Sequence, residues 1–168
     1  SSKHALRISN SLKTICQSLF AACDEKEAGP LVRPLLAALA QAGAEDRFVL
    51  VDALCHVPCR YLPKKELPEL SARLAAMLGT GNAELDIITL HMLLRLTHAE
   101  QGLRPAVCAA VRQYAPRWED HLAHDWLKAR LLAEPFAALD ARTVSQIHLS
   151  NLKNAVHWTV KLTQINML

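Results

Sequence analysis

Cys55-His56-Val57-Pro58-Cys59 sets two thiols and an imidazole within five residues. These are zinc ligands by type, and a tetrahedral ion takes four of them, usually as two close pairs. No second pair is present, because Cys16, Cys23 and Cys108 each stand alone. The segment reads instead as a helix end carrying two buried thiols, and no metal is assigned to it. The cysteines number five, and most lie among apolar neighbours. That pattern suits buried thiols in a reducing compartment better than a disulfide framework, so an intracellular location is expected.

His121, His124 and Asp125 fall at i, i+3 and i+4, on one face of a helix. A metal can be held by that geometry. His124-Asp125 is similar to the central dipeptide of the HD phosphohydrolases, whose ligands are a His, a His-Asp pair and a distant Asp. His98 could stand as the first of these, but Asp140 lies too near to be the last. A metal-dependent hydrolase is therefore kept as an alternative, and the preferred reading is an exposed face between Trp118 and Trp126. Neither a Gly-x-Ser-x-Gly elbow nor a phosphate-cradling Gly-rich loop occurs. The carboxylate pairs Glu45/Asp46 and Glu119/Asp120 stand where helices begin, where acids favour the helix dipole. No catalytic residue, cofactor or metal is assigned.

Positive side chains are the remaining candidates. Arg33, Arg60, Arg73, Arg95, Arg104 and Arg112 recur near helix ends and, in a stacked array, could line a groove. After Asp140 come Arg142, Lys153 and Lys161 with no acid, alongside Asn154 and Trp158. That stretch could act as a recognition helix on nucleic acid, although the Gly turn of a helix-turn-helix is missing. It could instead dock on protein, but three positive charges on a terminal helix usually mark a solvated face, and that is the preferred reading. Arg33, Arg73, Arg112, Lys153, Trp158 and Lys161 are taken as the candidate partner-binding residues. The net charge is only +3 and spread along the chain, so a dominant nucleic-acid surface is not indicated.

Helices must position all of these groups. Apolar types make up 51% of the 168 residues, Leu and Ala lead them, and only five Gly are present. Leu and Ala lose little freedom in a helix. Ile8, Leu12, Ile15, Leu19 and Cys23 form a first apolar stripe at helical spacing. Asp24–Gly29 reads as a charged break, with Pro30 opening a second helix that carries Leu31, Leu35, Leu36 and Leu39. Phe48–Val57 is apolar nearly all round, so it should be enclosed. Leu67, Leu70, Leu74 and Met77 make a fourth stripe that ends at Gly79-Thr80-Gly81. Asn82 is a good N-cap for the apolar helix Leu85–Leu96. Val107, Val111 and Tyr114 continue the pattern, and further helices are expected over Trp118–Leu132 and Thr143–Leu168. No apolar run is long enough to span a membrane.

The order of these helices repeats. An amphipathic helix ends at Gly, a short acidic loop follows, and a nearly fully apolar helix comes next. Ala44 and Ala83, in the two loops, are 39 residues apart. A period near ~40 residues with two helices in each unit is the layout of HEAT and armadillo arrays. The segment 29–115 resembles HEAT-like repeats in this sense. The resemblance implies stacked antiparallel helix pairs, an α-solenoid with a concave face for binding. An irregular helical bundle is the alternative fold. The expectation is a single all-helical domain over 1–168, an excerpt of a longer protein, acting as a non-catalytic protein-interaction scaffold. A nucleic-acid-binding helical repeat is the alternative within the same fold.

Overall fold

A computed structural model describes residues 2–80, 83–114 and 142. Among these residues every regular element is helical. The α-helices are α1 (Ser2–Ala22), α2 (Glu25–Gln41), α3 (Ala44–Cys55), α4 (Leu67–Met77), α5 (Ala83–Ala99) and α6 (Arg104–Tyr114). Short 3-10 turns cover Cys59–Tyr61, Lys64–Glu66 and Gln101–Leu103. No described helix is long and apolar enough to cross a membrane. The chain divides into two compact units, Ser1–Arg104 and Pro105–Leu168. The expected helices over 118–132 and 143–168, with Asn82 as a cap, lie outside the described residues.

In the first unit α1 packs on α3 and α3 packs on α5, while α2 lies on α3 and α4 on α5. The composition of α3 and α5 explains their central place. Every residue from Arg47 to Cys55, and from Leu85 to Thr97, is buried or half-buried. A helix apolar all round has no face to give to water, so its neighbours must cover it. Leu54, Leu90, Met92, Leu93 and Leu96 are among the largest fully buried side chains. From α4, Leu67, Leu70, Leu74 and Met77 are all buried, which is the stripe that their spacing predicts. In the second unit α6 buries Val107, Val111 and Tyr114.

Two expectations are corrected. Among the described side chains of α1, those of residues 11–22, Cys16 and Phe20 are buried, while Ile15 and Leu19 are 52% and 43% exposed. The apolar stripe borders the buried face without being it. Phe20 decides the rotation, since its ring lies 6.0 Å from that of the buried Tyr61 and an aromatic pair gains more by burial than a lone aliphatic. The second correction concerns α2, which starts at Glu25 rather than at Pro30. Asp24 accepts from the amides of Lys26 (2.8 Å) and Glu27 (3.0 Å), and the Glu27 carboxylate accepts from the Asp24 amide (3.3 Å). This capping box holds the first turn well enough to carry Pro30 and Pro34 inside the helix. Both prolines are exposed, so the Lys26 and Pro30 carbonyls that lose their helical donors stand on the solvent side. The face that α2 buries is Ala28, Val32 and Leu39.

Gly79 ends the α4 segment with φ 76°, a left-handed conformation that costs a residue without Cβ little. Its amide donates to the buried carboxylate of Asp86 on α5 at 2.9 Å. The turn between the two helices is thereby tied to the helix that follows it.

This packing predicts a sharp contrast. Leu90→Ala should lower the unfolding free energy by about 2–5 kcal/mol, because its fully buried site cannot collapse completely. Ile15→Ser, at an exposed site, should change it by no more than about 0.5 kcal/mol. Urea denaturation of both variants checks this.

Candidate interaction site

The Cys55–Cys59 segment sits where α3 ends. Cys55 Sγ donates to the Ile88 carbonyl (3.6 Å) and Cys59 Sγ to the Arg95 carbonyl (3.8 Å), both on α5. Burial pushes the Cys55 thiol up to about 11. Among the described residues no group of His, Cys, Asp and Glu is placed to hold a metal ion. His121, His124 and Asp125 lie outside the described residues.

His56 closes the last turn of α3. Its Nδ1 lies 3.3 Å from Gln17 Nε2 of α1, and its Nε2 lies 3.7 Å from an Asp52 carboxylate oxygen. Its pKa is lowered, chiefly by burial, with Asp52 pulling the other way and Lys13 and Arg95 adding to the fall. The pKa of His91, on α5, is lowered by burial as well.

By sequence Arg95 is one of six arginines that could line a groove or serve as routine surface charge, and the structure gives it another role. Its Nη1 donates to the carbonyls of Leu54 (3.4 Å) and Cys55, and its Nη2 donates to that of Val57 at 2.8 Å. They lie at and just beyond the C-terminus of α3, where backbone donors run out; the Leu54 carbonyl also accepts from the Val57 amide at 3.1 Å, so the guanidinium matters most to those of Cys55 and Val57. The guanidinium satisfies several at once and sits at the negative end of the helix dipole. The signal was present in the sequence, as Arg95 is the only Lys or Arg within the enclosed run Leu85–Leu96. A charge inside such a run requires a dedicated partner. Tyr61 does comparable work on α1, donating its hydroxyl to the Cys23 carbonyl at 2.9 Å. Arg60 lies over that ring, 4.8 Å from its centroid, and donates to the same hydroxyl.

The arginines that remain are divided between surfaces. Arg33 is exposed on α2 and Arg112 is exposed on α6, in the second unit. Lys153, Trp158 and Lys161 lie outside the described residues. Arg73, on α4, donates to Glu69 at 2.9 Å across one helical turn. The pair stands at the edge of a cleft of about 190 Å³ between α2 and α4. Leu36, Ala37 and Ala40 form one wall, with Glu66, Glu69, Leu70 and Arg73 opposite. Arg33 shares the face of Ala37 and Ala40, four and seven residues before them on α2. Arg73 therefore lines the cleft, while Arg33 does not line it and stands one turn before its α2 wall. The cleft also adds Glu66, which the sequence reading passed over because nothing in a Lys-Lys-Glu run marks which charge borders a cavity.

Two outcomes are expected. Arg95→Met should destabilise the protein by about 2–3 kcal/mol, since it strands carbonyls at a buried helix end, and Arg95→Lys should recover only part of this because it lacks the planar fork. Chemical denaturation measures both. For the histidines, the folded pKa is depressed, so the unfolded chain takes up the proton first. Their contribution is complete above 6.5, the ordinary value, and is lost as pH falls through the folded pKa. A melting series across that window should show a slope that flattens in His56→Gln/His91→Gln.

No family model matches the chain, and no curated protein and no solved structure is significantly similar to it.

Proposed function

We propose that this chain is a non-catalytic protein-interaction module built from stacked, HEAT-like helix pairs. Several features support the stacked arrangement. α3 and α5 begin at Ala44 and Ala83, 39 residues apart, and each is an enclosed helix with an amphipathic one laid on it. Side-chain bonds reach from one pair to the next: Gln17 to His56, Tyr61 to Cys23, Cys55 to Ile88, Cys59 to Arg95, and Arg95 to Val57. Their separations run from 33 to 39 residues, close to a single period. Nearest-neighbour contact of this kind is how a repeat array holds together.

The α2–α4 cleft is the observation that carries the function. Small-molecule sites occupy about 300–1,000 Å³, and this cleft, at about 190 Å³, falls below that range. Its size suits one or two side chains of a protein partner. An apolar floor of Leu36 and Leu70 with charges at the rim has the layout of a small interface pocket. The five cysteines are all free, in keeping with a reducing compartment inside the cell.

Affinity purification from the native cell, with and without nuclease, tests the proposal. The expected result is a partner protein that resists nuclease and is lost with Arg33→Glu/Arg73→Glu. Partners that vanish with nuclease would move the function to nucleic acid, with Lys153, Trp158 and Lys161 as the residues to examine next.

A further inference from the structure

We propose that α1 pairs with the α1 of a second copy of this chain, antiparallel and about a two-fold axis. The pairing is independent of the α2–α4 cleft, to which α1 contributes no lining residue.

The large apolar side chains left exposed among the described residues are Ile15, Leu19 and Leu31. Two of the three lie on α1. Gln17 reaches His56 of α3, and at about 100° per residue Ile15 stands about 200° round the helix from it. Ile15 therefore faces away from α3, which among the described helices is the one that packs extensively on α1. Leu19, four residues on, shares that face, and half-buried Leu12 borders it. Apolar side chains exposed singly need no explanation, but a stripe of them along one helix marks a surface that meets another protein.

The spacing of the stripe says which protein. Along α1 it runs Ala5, Ile8, Leu12, Ile15, Leu19 and Ala22, at steps of three, four, three, four and three. These are the a and d positions of a two-stranded coiled-coil seam. The steps read the same from either end. Turned end for end, α1 brings Leu12 level with Ile15 of the other copy, Ile8 with Leu19, and Ala5 with Ala22. Large residues meet large ones and small meet small, so the stripe is complementary to itself, as a two-fold interface requires. The flanks agree. Exposed Ser11 and Ser18 lie on one side of the seam and buried Cys16 on the other, so no charge there repels a like copy or selects an unlike partner. Lys13 acts on His56 instead, on the α3 side of the helix.

The seam from Ala5 to Ala22 is about 26 Å long at ~1.5 Å per residue. One helix pair of that length is a small interface, so the dimer forms only at high concentration. At low concentration the chain is monomeric with Ile15 exposed, as the small effect of Ile15→Ser on unfolding requires.

Sedimentation velocity of the full chain from about 5 to about 500 μM tests the proposal. The average mass should rise from one chain toward two and no further, because a two-fold pair is closed. Ile15→Glu should weaken the pairing by roughly tenfold or more, since it sets an unpaired charge against an apolar side chain. Ala76→Glu, at an exposed site on α4, should leave it unchanged. Leu12→Lys should weaken it as Ile15→Glu does. An equimolar mixture of the I15E and L12K chains should dimerise again, because the antiparallel register sets the new lysine level with the new glutamate. A parallel pair would not recover in this way. Circular dichroism separates loss of pairing from loss of fold, and the wild type and Ile15→Glu decide the matter alone if Leu12→Lys unfolds the chain. A wild-type chain that stays monomeric across the range would overturn the proposal. So would pairing that Ile15→Glu leaves intact, or a mixture of folded variants no more associated than its two components.

Discussion

A helix enclosed by its neighbours hides its side chains from water, but it cannot hide its end. Backbone donors reach the carbonyls of Ala53 and Leu54 but run out at Cys55, where α5 packs against α3. Leaving a buried carbonyl bare costs about 1–3 kcal/mol, on the scale of burying a leucine side chain. Arg95 meets this demand from the middle of α5, and doing so fixes how far α5 can slide or turn against α3. The thiols of Cys55 and Cys59, reaching the α5 carbonyls of Ile88 and Arg95, lock the same contact from the other side. With α3 and α5 in register, α2 and α4 are placed upon them, and the cleft between those two follows.

Much of this was legible in the residues. The enclosed character of α3 and α5 could be read from runs that lack any polar face, and the α4 stripe could be read from its spacing. Those features depend on hydrophobicity at a fixed period, which a sequence displays directly. The rotation of α1 did not, because Ile15 and Leu19 are as apolar as the residues that are buried. The choice was made by a ring–ring contact between Phe20 and Tyr61, some forty residues apart, and no local pattern records such a meeting. The start of α2 was misplaced for a different reason. Pro30 is a sound helix opener, yet the reciprocal bonds of Asp24 and Glu27 outweigh it.

The interaction site was legible only in part. Arginine type and helix position singled out Arg33 and Arg73, of which Arg73 lines the cleft and Arg33 is exposed one turn before its α2 wall. The same reasoning grouped Arg95 with them, although it belongs to the interior. Six arginines look alike in sequence because the face that each presents depends on neighbours one repeat away. Glu66 was missed for the same reason, as its importance comes from α2 rather than from its own helix.

The two prolines of α2 bear on how the molecule moves. A helix without donors for the Lys26 and Pro30 carbonyls has a weak first half, held by its cap at one end and by α3 beneath it. Amide protons in that half should exchange with solvent faster than those of α3 or α5, through openings that leave the enclosed helices intact. The α2 wall of the cleft, Leu36, Ala37 and Ala40, follows directly after this weak half. The half of α2 that supplies the wall thus has an unbroken run of helical donors, and the half before it does not.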